Sequence, residues 1–264
     1  DNREFFQAEL SEADFSKPQA VKAINHWADR HTRGKIKEIV QFPFSDETRL
    51  ILANAVYFKG TWLKPFKTGA SRPREFHLAG GQTRQVPMMS QFGTFAYRGT
   101  DDFQAVKLPY RGGLQMELYL PQTNSNPQNI LAGLAARDWN KAAQTGFAEG
   151  EGSVTLPKFK IEYDLSLNEV LKALGMKSAF VLGADFSGIA NEPLYISEVK
   201  QKGFVDVNEE GTEAAAVTSG KITALSVRAR FDMVLNRPFL FLISDVKTGS
   251  ILFAGVMNDP ASGN

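Results

Sequence analysis

Between a strand-like run, Gly203-Phe204-Val205-Asp206-Val207, and a strongly apolar C-terminal hairpin lies a long connection from Glu209 to Ser226. Read at period 2, one of its faces carries Thr212, Ala214, Ala216, Thr218, Gly220, Ile222 and Ala224, with no charge anywhere. The other face carries Glu213, Ala215, Val217, Ser219, Lys221 and Thr223. A loop that only had to stay solvated would not need a charge-free face. Side chains this small fit between two existing strands without steric cost, so the segment reads as a loop able to become a strand. The alternative is a flexible linker or disordered insert, since connections of this length are usually functional or disordered.

The flanking chain supplies the sheets that such a loop would need. Thr48 to Phe58 is a near-continuous apolar run, expected as a strand covered on both faces, with Asn54 as its one polar interior residue. A buried amide there must find a hydrogen-bond partner on another element. The run ends at Lys59-Gly60-Thr61-Trp62, a turn carrying a large aromatic. The two arms of the C-terminal hairpin, Pro238 to Ile243 and Ile251 to Met257, are apolar on both faces and are expected as central buried strands. Further strands are expected at Phe5–Leu10, Glu75–Leu78, Gln82–Met89, Thr94–Arg98, Phe103–Pro109, Leu114–Leu120, Ser153–Phe159 and Leu194–Val207, with Gly80-Gly81 and Arg111-Gly112-Gly113 as hairpin turns. Helices are expected after Ser16 as N-cap, near Gln128–Ala135 and Trp139–Gln144, and after a capping box at Ser166–Glu169. The first places Val21, Ile24, Trp27, Ala28 and His31 on one stripe and ends at Gly34. No internal repeat or low-complexity linker divides the chain, so 1–264 reads as a single α+β domain.

Composition narrows the chemistry. Thirty basic and 29 acidic residues leave a net charge of +1, which gives no field for nucleic acid or an anionic membrane. No apolar stretch approaches the roughly 18 residues of a membrane-spanning helix. The absence of cysteine excludes disulfides, thiolate metal sites and cysteine nucleophiles. No Gly-x-Ser-x-Gly elbow is present, and His26, His31 and His77 lie in no metal-binding spacing. The paired carboxylates Asp101-Asp102 and Glu209-Glu210 are adjacent and would point apart on a strand. Ser226 has no visible activating base. The sequence argues against an enzyme and predicts neither metal nor cofactor. The chain has no initiator methionine and opens almost directly in a strand-like run, which suggests a fragment or a processed form.

Five stretches, in order along the chain, carry a family resemblance. They are Ile24-Asn25-His26-Trp27 running to Gly34-Lys35-Ile36, Asn54 to Trp62, Val86-Pro87-Met88-Met89, the run Glu209-Glu210-Gly211-Thr212-Glu213-Ala214-Ala215-Ala216, and Leu235-Asn236-Arg237-Pro238 continuing to Ile243. Together they resemble the serpins. The resemblance implies a large mixed central sheet, smaller antiparallel sheets, flanking helices and a mobile reactive loop. It also implies that roughly a hundred family residues preceding Asp1 are absent, so that the chain alone is not expected to fold natively.

By that resemblance the protein is an irreversible suicide-substrate inhibitor of serine endopeptidases, a monomer without cofactor, and secreted or extracellular. A non-inhibitory carrier or chaperone and a cross-class inhibitor of cysteine proteases are the alternatives. The resemblance makes Glu209, Glu210, Gly211, Thr212, Glu213, Ala214, Ala215 and Ala216 the hinge. Counting from Gly211 puts the scissile bond at Leu225-Ser226, and Lys221-Ile222-Thr223 before it resembles the loop of antichymotrypsin-type members. Leucine before the cut suits the apolar pockets of chymotrypsin-like, elastase-like or subtilisin-like proteases. A loop shifted by a few residues would offer Arg228 or Arg230 to a trypsin-like one. Asn54, Trp62 and Gln201 are the expected sheet-opening gate. Gln201 stands where many serpins have a histidine, and its amide is expected to bond Asn54.

Overall fold

A computed structural model describes residues 7–136, 145–211 and 230–262. Eleven strands are described, along with three α-helices: α1 (Pro18–His31), α2 (Pro127–Ala135) and α3 (Asn168–Ala173). The strands form a three-stranded and an eight-stranded sheet. The chain divides into two compact units, residues 1–58 with 161–205 and residues 59–160 with 206–264.

The first unit is built on β1 (Leu50–Phe58), β7 (Phe159–Ser166) and β8 (Ile196–Val207), in the order β1-β8-β7. β1 and β8 run parallel and pair from Leu50↔Ile196 to Phe58↔Val205. This sheet is therefore not purely antiparallel, as follows when two paired strands are separated by a long stretch of chain. Helix α1 covers one face. Val21, Ile24, Trp27 and Ala28 pack with Ile36, Ile39 and Val40 and with Ala53, Ala55 and Phe204 of the sheet. Asn25 ties the helix to the following loop: its Oδ1 accepts from the backbone N–H of Ile39 and Val40, and its Nδ2 donates to Val40 O.

Several local expectations differ from what is found here. Of β1 only Phe58 is buried, and Leu52 and Asn54 are exposed, so this strand is not covered on both faces. Residues 7–10 are not a strand. Lys17, not Ser16, is the N-cap of α1, because the Ser16 hydroxyl is taken by Asp14. His31 is exposed and bonds Trp27 O. The capping box at Ser166–Glu169 does not form. Asn168 instead bridges to β8, donating to Ser197 O and accepting from Val199 N.

The second unit holds the eight-stranded sheet: β2 (Arg72–His77), β3 (Thr83–Gly99), β4 (Phe103–Pro109), β5 (Leu114–Pro121), β6 (Ala148–Pro157), β9 (Arg230–Val234), β10 (Phe239–Asp245) and β11 (Ile251–Met257). Its path is β11-β10-β5-β4-β3-β6-β9, with β2 also on β3. All neighbours are antiparallel except the β6–β9 pair. The two expected strands Gln82–Met89 and Thr94–Arg98 are one continuous β3, whose first part pairs β2 and whose remainder pairs β6 and β4. The glycine turns are as read, with Gly81, Gly112 and Gly113 all at positive φ. Strand β10 is buried from Phe239 to Ser244, but β11 exposes Ile251, Leu252 and Ala254, so only the first arm of the hairpin is enclosed on both faces. Helix α2, capped by Asn126 Oδ1 accepting from Asn129 N, sets Ile130 and Leu134 on Tyr119, Leu240 and Leu242. No helix among the described residues is long and apolar enough to cross a membrane.

Candidate functional site

The expected hinge leaves β8 inside the second unit, where it is held by the short segment that follows β1. Trp62 is almost fully buried. Its indole stacks on Tyr110 at a centroid distance of 4.1 Å and meets Phe66 edge-on at 5.9 Å. Its Nε1 donates to Asn208 O at 2.8 Å, satisfying the one polar atom that so large a buried ring carries. Its backbone N donates to Glu210 O (3.3 Å), and Phe66 N donates to Glu209 O (2.9 Å). On its other side the same segment is fixed to the β4–β5 hairpin: Leu63 N donates to Pro109 O and Arg111 N to Thr61 O. The Trp62 segment is thus bonded on one edge to the β4–β5 hairpin and on the other to the residues that follow β8.

At that base, Gly211 N donates to Asn208 O (3.2 Å), closing a four-residue turn over Asn208–Gly211. Asn208 Oδ1 also accepts from Glu210 N, an Asx turn inside it. Gly211 has φ of +76°, and a Cβ placed on it would stand 2.3 Å from Trp62 N and 2.5 Å from Gly60 O. Both facts require glycine: the backbone is left-handed, and the neighbouring chain occupies the space of a side chain.

Glu209 is a buried acid, 6% exposed. It accepts from the Ser71 hydroxyl at 2.6 Å, and Lys158 Nζ lies 3.2 Å from the same carboxyl. Burial pushes its pKa up, but the Ser71 bond, a backbone N–H and Lys158 outweigh that and hold it below the ordinary value. The expected hinge therefore starts from an ionised carboxylate held by Ser71 and Lys158. Ser71 and Lys158 are neighbours of Glu209 that sequence reasoning missed. They lie far from Glu209 along the chain, and neither stands in a motif that points to it.

In the first unit, Asn54 and Gln201 are Cα partners in the β1–β8 pair. Register thus brings the two expected gate amides side by side. Asn54 is exposed, however, and among the described residues no hydrogen bond joins the two side chains. Thr212, Glu213, Ala214, Ala215, Ala216, Leu225, Ser226, Arg228 and Trp139 lie outside the described residues. Arg230 opens β9. Among the described residues no group of three or more His, Asp or Glu could hold a metal.

β1 and β8 pair directly over the whole length of β1, so no strand stands between them. The family model for serpin (serine protease inhibitor) matches residues 1–260. A serpin-like protein of Thermococcus kodakarensis is 40% identical over 99% of the chain. The chain spans 62% of that relative's length. Serpin48 of the insect Tenebrio molitor, described as highly specific, superposes with a TM-score of 0.82 at 34% identity over 98% of this chain and 70% of its own. The thermophilic serpin tengpin in its native state gives 0.84 at 30% identity, over 97% and 66%. The chain belongs to the serpin family, and its fold is the serpin fold.

Proposed function

We propose that this chain belongs to an inhibitor of serine endopeptidases that offers Leu225-Ser226 as bait and traps the protease by inserting the cleaved loop between β1 and β8. The protease serine attacks the Leu225 carbonyl. An ester forms, the bond to the Ser226 nitrogen breaks, and that nitrogen leaves with a proton from the protease's base. Freed at one end, the loop folds back along β8 before water can cleave the ester.

The observation that carries this reading is the turn at Asn208–Gly211, which ends β8 beside a directly paired β1. A strand continuing from that turn would pair Thr212 with Val207, Ala214 with Val205, Ala216 with Gly203 and Thr218 with Gln201. The β1–β8 register carries the same rows to Phe58, Val56 and Asn54. The uncharged face thus meets the sheet face of Val205, Gly203 and Gln201, while Lys221 on the other face would come opposite Glu198. About a dozen new backbone hydrogen bonds at about 0.5–1.5 kcal/mol each give on the order of 6–18 kcal/mol. That is comparable with a domain's whole stability and enough to distort a bound protease.

Incubating the full-length protein with chymotrypsin, pancreatic elastase and subtilisin should give a complex stable in SDS whose mass equals protease plus the chain cut after Leu225. Cleavage there with the protease still active would refute inhibition and leave a non-inhibitory serpin. Cleavage after Arg228 or Arg230 would move the bait.

A further inference from the structure

Strand β8 has two neighbours, and it is fastened to them unequally. Towards β7, Lys200 pairs with Asp164 at 2.7 Å and Lys202 with Glu162 at 3.1 Å. Leu167 N donates to Val199 O, and Asn168 clamps Ser197 and Val199 with two further bonds. Above these rungs the Tyr163 ring lies against the backbone of Gly203. A Cβ on Gly203 would stand 2.2 Å from Cζ and 2.3 Å from Cε1 of that ring. Glycine inside a strand marks a close approach, and here the ring fills the place of the missing side chain. Burial against the strand raises the Tyr163 pKa.

Towards β1 the side-chain links among the described residues are of a different kind. β1 contains no charged side chain, so no ionic rung is possible along it. Its Tyr57 meets Phe204 at 5.9 Å, while Asn54 and Gln201 sit opposite each other unjoined. Side-chain bonds from this region to the start of β8, from Arg49 N to Ser197 Oγ and from Tyr195 to Glu47 O, lie ahead of Leu50.

We propose that Tyr163 is a positioning residue for strand insertion: its ring, seated on Gly203, fastens β8 to β7, so that β8 parts from β1 and stays with β7 when a strand enters. This rests on the insertion reading above. Single ion pairs at half-exposed positions contribute little, and they slide as the strands slide. A ring packed on a backbone with no side chain resists both sliding and separation, because either motion opens an unfilled gap at Gly203. Ala216 would enter the row that contains Gly203, and there the ring supports the strand from its far side.

Amide-resolved hydrogen exchange on the full-length protein tests this without reference to inhibition. The Val199 N–H and C=O both point to the β7 side. By alternation the amides of Gln201 and Gly203 also face β7, while those of Lys200 and Lys202 face β1. In the unsubstituted protein the β1-facing amides should exchange about tenfold faster than the β7-facing ones. Tyr163→Phe should preserve that ratio. Tyr163→Ala should bring it to about one by speeding the β7-facing amides alone, and should raise the moles of protein cleaved per mole of chymotrypsin trapped severalfold. Should Tyr163→Ala fail to fold, Tyr163→Leu, which keeps bulk but not a flat ring, is read the same way. Equal exchange of the two sets in the unsubstituted protein, or equal acceleration of both in Tyr163→Ala or Tyr163→Leu, overturns the proposal. If the protein traps no protease, the inhibitor reading fails, while the exchange ratio still decides the role of Tyr163.

Discussion

Replacing Glu209 by glutamine tests whether the base of the loop is held electrostatically. The substitution keeps the size and an oxygen acceptor for Ser71, and it leaves the backbone bond from Phe66 N to Glu209 O intact. It turns a charge-assisted bond, worth about 1.5–3 kcal/mol, into a neutral one worth about 0.5–1.5. It also removes the pairing with Lys158, whose side chain is 36% exposed and therefore adds only about 0.2–1 kcal/mol. The expected loss is about 1–2 kcal/mol at pH 7, a fall in melting temperature of about 2–8 °C for a domain of this size. Glu209→Lys should cost more, since it sets a second ammonium beside Lys158 in a buried place.

Thermal unfolding followed by circular dichroism between pH 7 and pH 3 also checks the sign. Glu209 has a folded pKa below its ordinary value of 4.5. Its stabilisation is therefore fully present above about 4.5 and is lost as pH falls through the lower folded value. The gap between the unsubstituted protein and Glu209→Gln should be constant from pH 7 down towards the ordinary value of 4.5 and should narrow only as pH falls further, through the lower folded value. Equal melting temperatures at pH 7, or a gap that widens as pH falls below 4.5, would refute this account of Glu209.

Gly211→Val should lower stability by about 2 kcal/mol or more, because a β-branched residue at φ +76° is strained and its Cβ meets Trp62 N; urea denaturation midpoints measure it. Trp62→Phe removes the bond to Asn208 O and part of the stack on Tyr110, and should cost about 2–4 kcal/mol in the same assay. Thr212→Arg puts a charge on the first inward position of the proposed inserted strand. The loop should still be cut at the same bond, while the SDS-stable band falls at least about tenfold. Retained trapping would count against insertion.

Much of this protein could be read from its residues because the patterns involved are local or repeat along the chain. The two arms of the C-terminal hairpin, the glycine turns at Gly81 and Gly112-Gly113, and the helix stripe through Val21, Ile24 and Ala28 follow from period and turn chemistry alone. The hinge expected over Glu209–Ala216 rests on the residues that carry the family resemblance, and the special need for glycine at 211 is intelligible only with Trp62 in view. The capping-box pattern at Ser166 does not cap the helix, and Asn168 bridges two backbone groups of β8 that no local pattern reveals. The apolar runs of β1 and β11 point to strands enclosed on both faces, yet Leu52 of β1 and Ile251, Leu252 and Ala254 of β11 are exposed. A run fixes what a strand tolerates, not what covers it.

The sequence by itself determined the C-terminal hairpin, the glycine turns, most of the longer strands and the small-residue connection that follows β8, because backbone period and side-chain size are properties of neighbouring residues. Only the tertiary structure decided which groups answer Glu209, what occupies the space above Gly203, and that β1 and β8 pair directly and in parallel. Those are relations between residues tens to more than a hundred positions apart. A buried carboxylate requires a partner and a bare glycine requires a filler, but physical chemistry sets only the requirement; the fold chooses Ser71, Lys158 and Tyr163 to meet it.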